Sequence, residues 1–66
     1  MNWTIEKGTK GNARWYNWLC GKYEITTGMS MDGTYDLLER GRWVESYPDL
    51  EAAKEGAEAL REIDEA

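Results

Sequence analysis

The sequence predicts an α+β fold: a small antiparallel sheet of three to five strands with one C-terminal helix packed on one face. Two patterns carry this expectation. Over residues 1–48, apolar and polar residues alternate in short runs interrupted by glycines, as half-buried strands joined by turns do. From Pro48 onward the apolar period lengthens to that of a helix. A third observation sets the scale. A chain of 66 residues with 41% hydrophobic content makes one domain, residues 1–66. So short a chain buries only about 60% of its unfolded surface, so the core is thin. Four Trp and four Tyr, with no Phe, supply much of its volume.

The first strand candidate is Trp3-Thr4-Ile5, followed by Gly8-Thr9-Lys10-Gly11-Asn12, which reads as a flexible loop. Arg14–Leu19, Lys22–Thr26, Thr34–Leu38 and Arg42–Tyr47 are the other strand candidates, and residues 1–48 are expected to form a meander. Gly21 marks either a turn between two of them or a bulge within one longer strand. A tight Asp32-Gly33 turn would set Ile25 against Arg40 and Tyr23 against Arg42, mixing core aromatics with charges on one face. Pairing Ile25 with Tyr35 and Tyr23 with Leu37 avoids this and requires a longer loop from about Thr27 to Gly33. A turn at Arg40-Gly41 then pairs Leu37 with Val44 on the core face and sends Trp43 and Leu38 to the other. With Trp15 as the inward residue of its strand, Tyr16 and Trp18 join that second face.

The helix is expected from about Asp49 to Glu65. Asp49 is a good N-cap, because its carboxylate can accept the orphan amides of the first turn. Leu50, Ala53, Ala57, Leu60 and Ile63 form one apolar stripe. Gly56 costs about 1 kcal/mol relative to Ala inside a helix, so close packing is the expected reason for its presence.

Composition excludes several chemistries. The absence of His removes His-based acid–base catalysis and His-ligated metal sites. A single cysteine, Cys20, allows neither an internal disulfide nor a Cys-rich zinc site, and its apolar neighbour Leu19 marks it as a packed small residue. Carboxylate pairs such as Glu51/Glu55 and Glu58/Glu62 share one helix face, and so short a chain leaves little room for a sugar-sized cleft between acids. No calcium-loop or phosphate-loop spacing is present. The expectation is a protein that is not an enzyme, with no catalytic residues, metal or cofactor. No apolar run approaches the roughly 18 residues that span a bilayer, and the first residues lack a signal-peptide pattern.

Charge is divided unevenly. The net charge is −5. Residues 1–48 are balanced, with six acids and six bases, so all of the excess falls after Pro48. There Asp49, Glu51, Glu55, Glu58, Glu62, Asp64 and Glu65 face only Lys54 and Arg61. A line of carboxylates can meet a basic groove on a protein partner and be steered to it over long range; on a nucleic-acid-binding partner the carboxylates would stand where phosphates lie, as a DNA mimic. The site expected for such a partner comprises Glu51, Glu55, Glu58 and Glu62, with Tyr16, Trp18 and Trp43 as aromatic anchors. The alternative is a nucleic-acid-binding module in which Arg14, Lys22, Arg40 and Arg42 contact phosphates beside the same aromatics. A pI of about 4.6 disfavours direct nucleic-acid binding. A homodimer that hides the aromatic face is a third reading.

The strings Trp3-x-Ile5, Gly21-Lys22-Tyr23-Glu24-Ile25, Tyr35-Asp36-Leu37 and Tyr47-Pro48-Asp49-Leu50-Glu51-Ala52-Ala53-Lys54 resemble those of short phage and prophage proteins. In these, a small antiparallel sheet runs into a Leu-Glu-x-Ala-Lys-type helix. The resemblance implies a mobile-element origin and action in the host cytoplasm. In that setting small acidic proteins include anti-CRISPR and other anti-defence inhibitors. That group shares no motif, so the resemblance assigns no residue a role.

Overall fold

The structure is a computed structural model, and it describes residues 2–27 and 33–65. Five strands form one sheet in sequential order: β1 (Thr4–Lys10), β2 (Ala13–Cys20), β3 (Tyr23–Thr26), β4 (Tyr35–Glu39) and β5 (Arg42–Tyr47). All neighbouring pairs are antiparallel. Helix α1 (Leu50–Glu65) follows and packs on one face, giving the expected α+β architecture with five strands.

Three connections are two-residue turns. Gly11-Asn12 links β1 to β2, Gly21-Lys22 links β2 to β3, and Arg40-Gly41 links β4 to β5. Gly21 is therefore a turn residue and not a bulge. In the Arg40-Gly41 turn both residues take positive φ, 53° and 82°, which matches the right-handed twist of the flanking strands. The β3–β4 connection is longer, spanning 27–34, as the core pattern requires. Residues 28–32, including Asp32, lie outside the described residues.

Four details differ from the sequence expectation. First, β1 continues through Gly8 to Lys10, where a loop was expected. Gly8 stands directly opposite Trp15, and the indole ring occupies the space where a Cβ would sit. The glycine is there to seat the ring, and this cross-strand cover keeps the strand regular. Second, β2 is turned over. Trp18 pairs with Ile25 and is 9% exposed, so Tyr16 and Trp18 face the helix side and Trp15 faces away. The set Tyr16, Trp18 and Cys20 is uniformly apolar, whereas Trp15 and Leu19 are separated by Asn17, so the first set has more to gain from burial.

Third, β3 and β4 pair two residues away from the expected register: Ile25 opposes Leu37 and Tyr23 opposes Glu39. Fourth, the β4–β5 ladder shifts between Leu37 and Leu38, so Leu37 opposes Glu45 and Val44 is the extra residue of a bulge. Trp43 and Leu38 do pair on the far face.

The core lies between α1 and β3–β5, with Trp18 joining it from β2. Ile25, Leu37, Ala53 and Ala57 are completely buried, with Tyr23 and Trp18 nearly so. Trp18 is held by ring contacts, stacked on Tyr16 at 6.0 Å and tilted against Tyr35 at 5.8 Å. Asp49 caps the helix as expected, its Oδ1 accepting the Ala52 amide at 2.8 Å. Gly56 lies beneath the Tyr47 ring, so close that a Cβ would collide with the phenol. Ile63, expected on the apolar stripe, is 71% exposed.

Candidate functional site

The expected site residues fall on three separate surfaces. Glu51, Glu55, Glu58 and Glu62 are all exposed. With 3.6 residues per turn they lie within about 60° of one another around α1. Ala53 and Ala57 face the sheet, which places the carboxylates on the outer side of the helix. Of the aromatic anchors, Trp18 is buried and Tyr16 half-buried on the helix side of the sheet, while Trp43 projects from the far side, 60% exposed. Trp18 therefore serves as a core residue, and no single surface displays the three rings.

The four cations of the alternative site do not converge either. Arg14 opens β2, whereas Lys22, Arg40 and Arg42 lie in or beside the turns at the other end of the sheet. The intervening strand, eight residues long, separates the two groups by roughly 25 Å at the usual rise per residue.

Lys22 is also committed to the fold. Its ammonium donates to the Asp64 carboxylate near the end of α1 and sits 5.4 Å from the centroid of the Tyr23 ring. The Lys22 hydrogen bond holds Asp64 below its ordinary pKa, with Arg40 adding a weaker electrostatic pull. The buried Tyr23 hydroxyl makes no hydrogen bond of ordinary length but lies near enough to help keep this carboxylate ionised. The same contact raises Lys22 above its ordinary value, partly opposed by desolvation. A backbone bond from the Arg40 amide to the Lys22 carbonyl, 2.8 Å, ties the two turns together. Cations placed beside a helix C-terminus also favour the helix dipole.

A polar row on the far side was not anticipated. Asn17, Thr26, Asp36 and Ser46 oppose one another in succession across β2 to β5. Asp36 is 4% exposed and accepts a hydrogen bond from the Ser46 hydroxyl, which satisfies one of its oxygens. Both residues occupy the polar positions of strand alternation, so the sequence pattern marks them as outward-facing and gives no signal that Asp36 is buried. On edge strand β5, desolvation and donation to the Glu45 carboxylate raise the Tyr47 phenol above its ordinary pKa.

The β1–β2 hairpin carries a separate concavity. Lys7, Gly8, Thr9, Arg14 and Tyr16 line a shallow depression of about 330 Å³. Lys7 opposes Tyr16 and Thr9 opposes Arg14, so these four side chains form a two-by-two block on the helix side of the sheet. Helix α1 lies over β3, β4 and β5 and does not reach this hairpin.

Among the described residues, no helix is long and apolar enough to cross a membrane. Comparison with known proteins finds no matching family model, no matching curated protein and no matching solved structure.

Proposed function

We propose that this protein is a non-enzymatic binding module whose outer helix face engages a basic surface on a protein partner. The partner is a nucleic-acid-binding effector, and the carboxylates occupy the place of its phosphates, as a phage-type inhibitor of the anti-CRISPR kind would. One observation carries the reading. Of the surfaces the sequence nominates, the row Glu51, Glu55, Glu58 and Glu62 alone remains contiguous and exposed in the fold. The row spans about 16 Å at 1.5 Å per residue. Its charge spacing is therefore within about a factor of two of the 3.4 Å per phosphate along one DNA strand. The dispersal of Arg14 from Arg40 and Arg42, and the pairing of Lys22 with Asp64, weigh against the nucleic-acid-binding alternative.

The test is partner capture from host lysate by the wild-type protein and by the triple variant Glu51→Lys, Glu55→Lys, Glu62→Lys, with circular dichroism confirming that the variant folds. The expected result is a nucleic-acid-binding protein retained by the wild type, released by salt and lost from the variant. Unchanged retention by the folded variant overturns the proposal.

A further inference from the structure

The β1–β2 hairpin concentrates hydrogen-bond donors of one kind. Lys7 presents an ammonium, Arg14 a guanidinium, and Thr9 and Tyr16 hydroxyl groups, all around the same depression. Directly opposed side chains in an antiparallel pair are about 5 Å apart at Cβ, so the four donors can converge on one tetrahedral oxyanion. Among the described residues, no carboxylate lines the depression. Among the described residues none pairs with Lys7 or Arg14, so neither cation is neutralised by a described neighbour. The strand carrying Lys7 and Thr9 is held in place from behind, because Trp15 covers Gly8 on the opposite face. Edge strands gain protection from charge, and one cation would serve that purpose. Two cations and two hydroxyls around a concavity exceed it.

We propose that this depression is a phosphate-binding site, taking the terminal phosphate of a small phosphate ester. Arg14 contacts two phosphate oxygens through its planar fork, Lys7 supplies the second charge, and the Thr9 and Tyr16 hydroxyls donate to the remaining oxygens. Tyr16 is stacked on Trp18, which limits its freedom and presents the phenol at a defined position. A volume of about 330 Å³ accommodates the phosphate with part of its ester group. The site is independent of the acidic helix face, from which it is separated by the uncovered part of the sheet.

The experiment is a titration of the ¹⁵N-labelled full chain with inorganic phosphate and with a small phosphomonoester, against sodium chloride at matched ionic strength. The expected result is saturable amide shifts confined to Lys7–Thr9 and Arg14–Tyr16, weakened at least tenfold in Arg14→Gln and in Lys7→Gln. Both positions are exposed, so both variants keep the fold, and the unshifted remainder of the spectrum verifies this. Glu51→Lys, Glu55→Lys, Glu62→Lys leaves the shifts at Lys7–Thr9 and Arg14–Tyr16 unchanged, which separates failure of this site from failure of the helix reading. Shifts reproduced by chloride, shifts centred elsewhere, or none at all overturn the proposal. Tighter binding of an oligothymidylate lacking a terminal phosphate also overturns it, because the occupant would then be a nucleic-acid backbone.

Discussion

The two halves of this sheet are stabilised by different means. Strands β3 to β5 lie under α1, and there Ile25, Leu37, Ala53 and Ala57 are wholly withdrawn from water. The β1–β2 hairpin has no helix over it. Backbone pairing, the Trp15–Gly8 contact and the core residue Trp18, with Tyr16 stacked beside it, hold it, and Ile5 on its edge is 58% exposed. Apolar burial scales with area removed from water, so most of the folding energy resides in the capped half. The hairpin is then the region expected to open first in hydrogen exchange. A small domain can thus hold a stable core and still project an arm that contributes surface more than stability.

The sharpest way to break the comparison is to truncate one apolar side chain in each half. Leu37→Ala is expected to cost about 2–5 kcal/mol, enough to unfold much of a domain this small. Ile5→Ala is expected to cost no more than about 0.5 kcal/mol. Urea denaturation of the two variants measures the contrast, and equal losses would show that the hairpin shares the core.

Two glycines give a finer version. Each lies beneath an aromatic ring, Gly56 under Tyr47 in the capped half and Gly8 under Trp15 in the arm. Gly56→Ala gains about 1 kcal/mol of helix propensity. It also forces the Tyr47 ring outward, so a net loss of about 1–2 kcal/mol is expected. Gly8→Ala displaces the Trp15 indole and is expected to cost about 1 kcal/mol. That loss should appear as faster amide exchange in β1 and β2 ahead of any change in the global transition. Thermal melts with residue-resolved exchange distinguish the two outcomes.

The smallest effect concerns the Lys22–Asp64 contact, which fastens the helix end to the turns. Asp64 is held below its ordinary value of 3.8, so its contribution is present above that pH and lost as pH falls through the lowered value. Lys22 is raised above 10.5, so its contribution persists to that pH and is lost as pH rises through the raised value. Both side chains are substantially exposed, so the pair is screened by salt. Asp64→Asn is expected to lower the melting temperature slightly at neutral pH. The difference should shrink in high salt and vanish in strong acid, and a constant difference across pH would show that packing, not charge, is responsible.

The elements of the fold were legible wherever one local signal sufficed. Asp49 after Pro48, the Leu50-to-Leu60 stripe, the Arg40-Gly41 turn and the close contact at Gly56 are all properties of a few consecutive residues. Even the face of β2 is implicit in a two-residue Gly21-Lys22 turn, which sets Trp18 against Ile25. That arithmetic competes with the presence of large apolar residues on both sides of the strand. The candidate site was less legible. The sequence nominated Tyr16, Trp18 and Trp43 together, and strand direction and pleat then sent them to two sides of the sheet. Asp36 occupies a position that alternation marks as outward, so its burial carries no sequence signal.

By itself, the sequence determined the α+β class, the helix with its cap and acidic outer face, and the order of the strands. Tertiary structure decided the β3–β4 register, the Val44 bulge and which candidate residues share a surface. A slip of two residues returns every side chain to the same face, so hydrophobic alternation cannot tell one such register from another. The choice rests on how Ile25 and Leu37 meet Ala53 and Ala57, a contact between segments far apart in the chain that exists only once the helix has docked on the sheet.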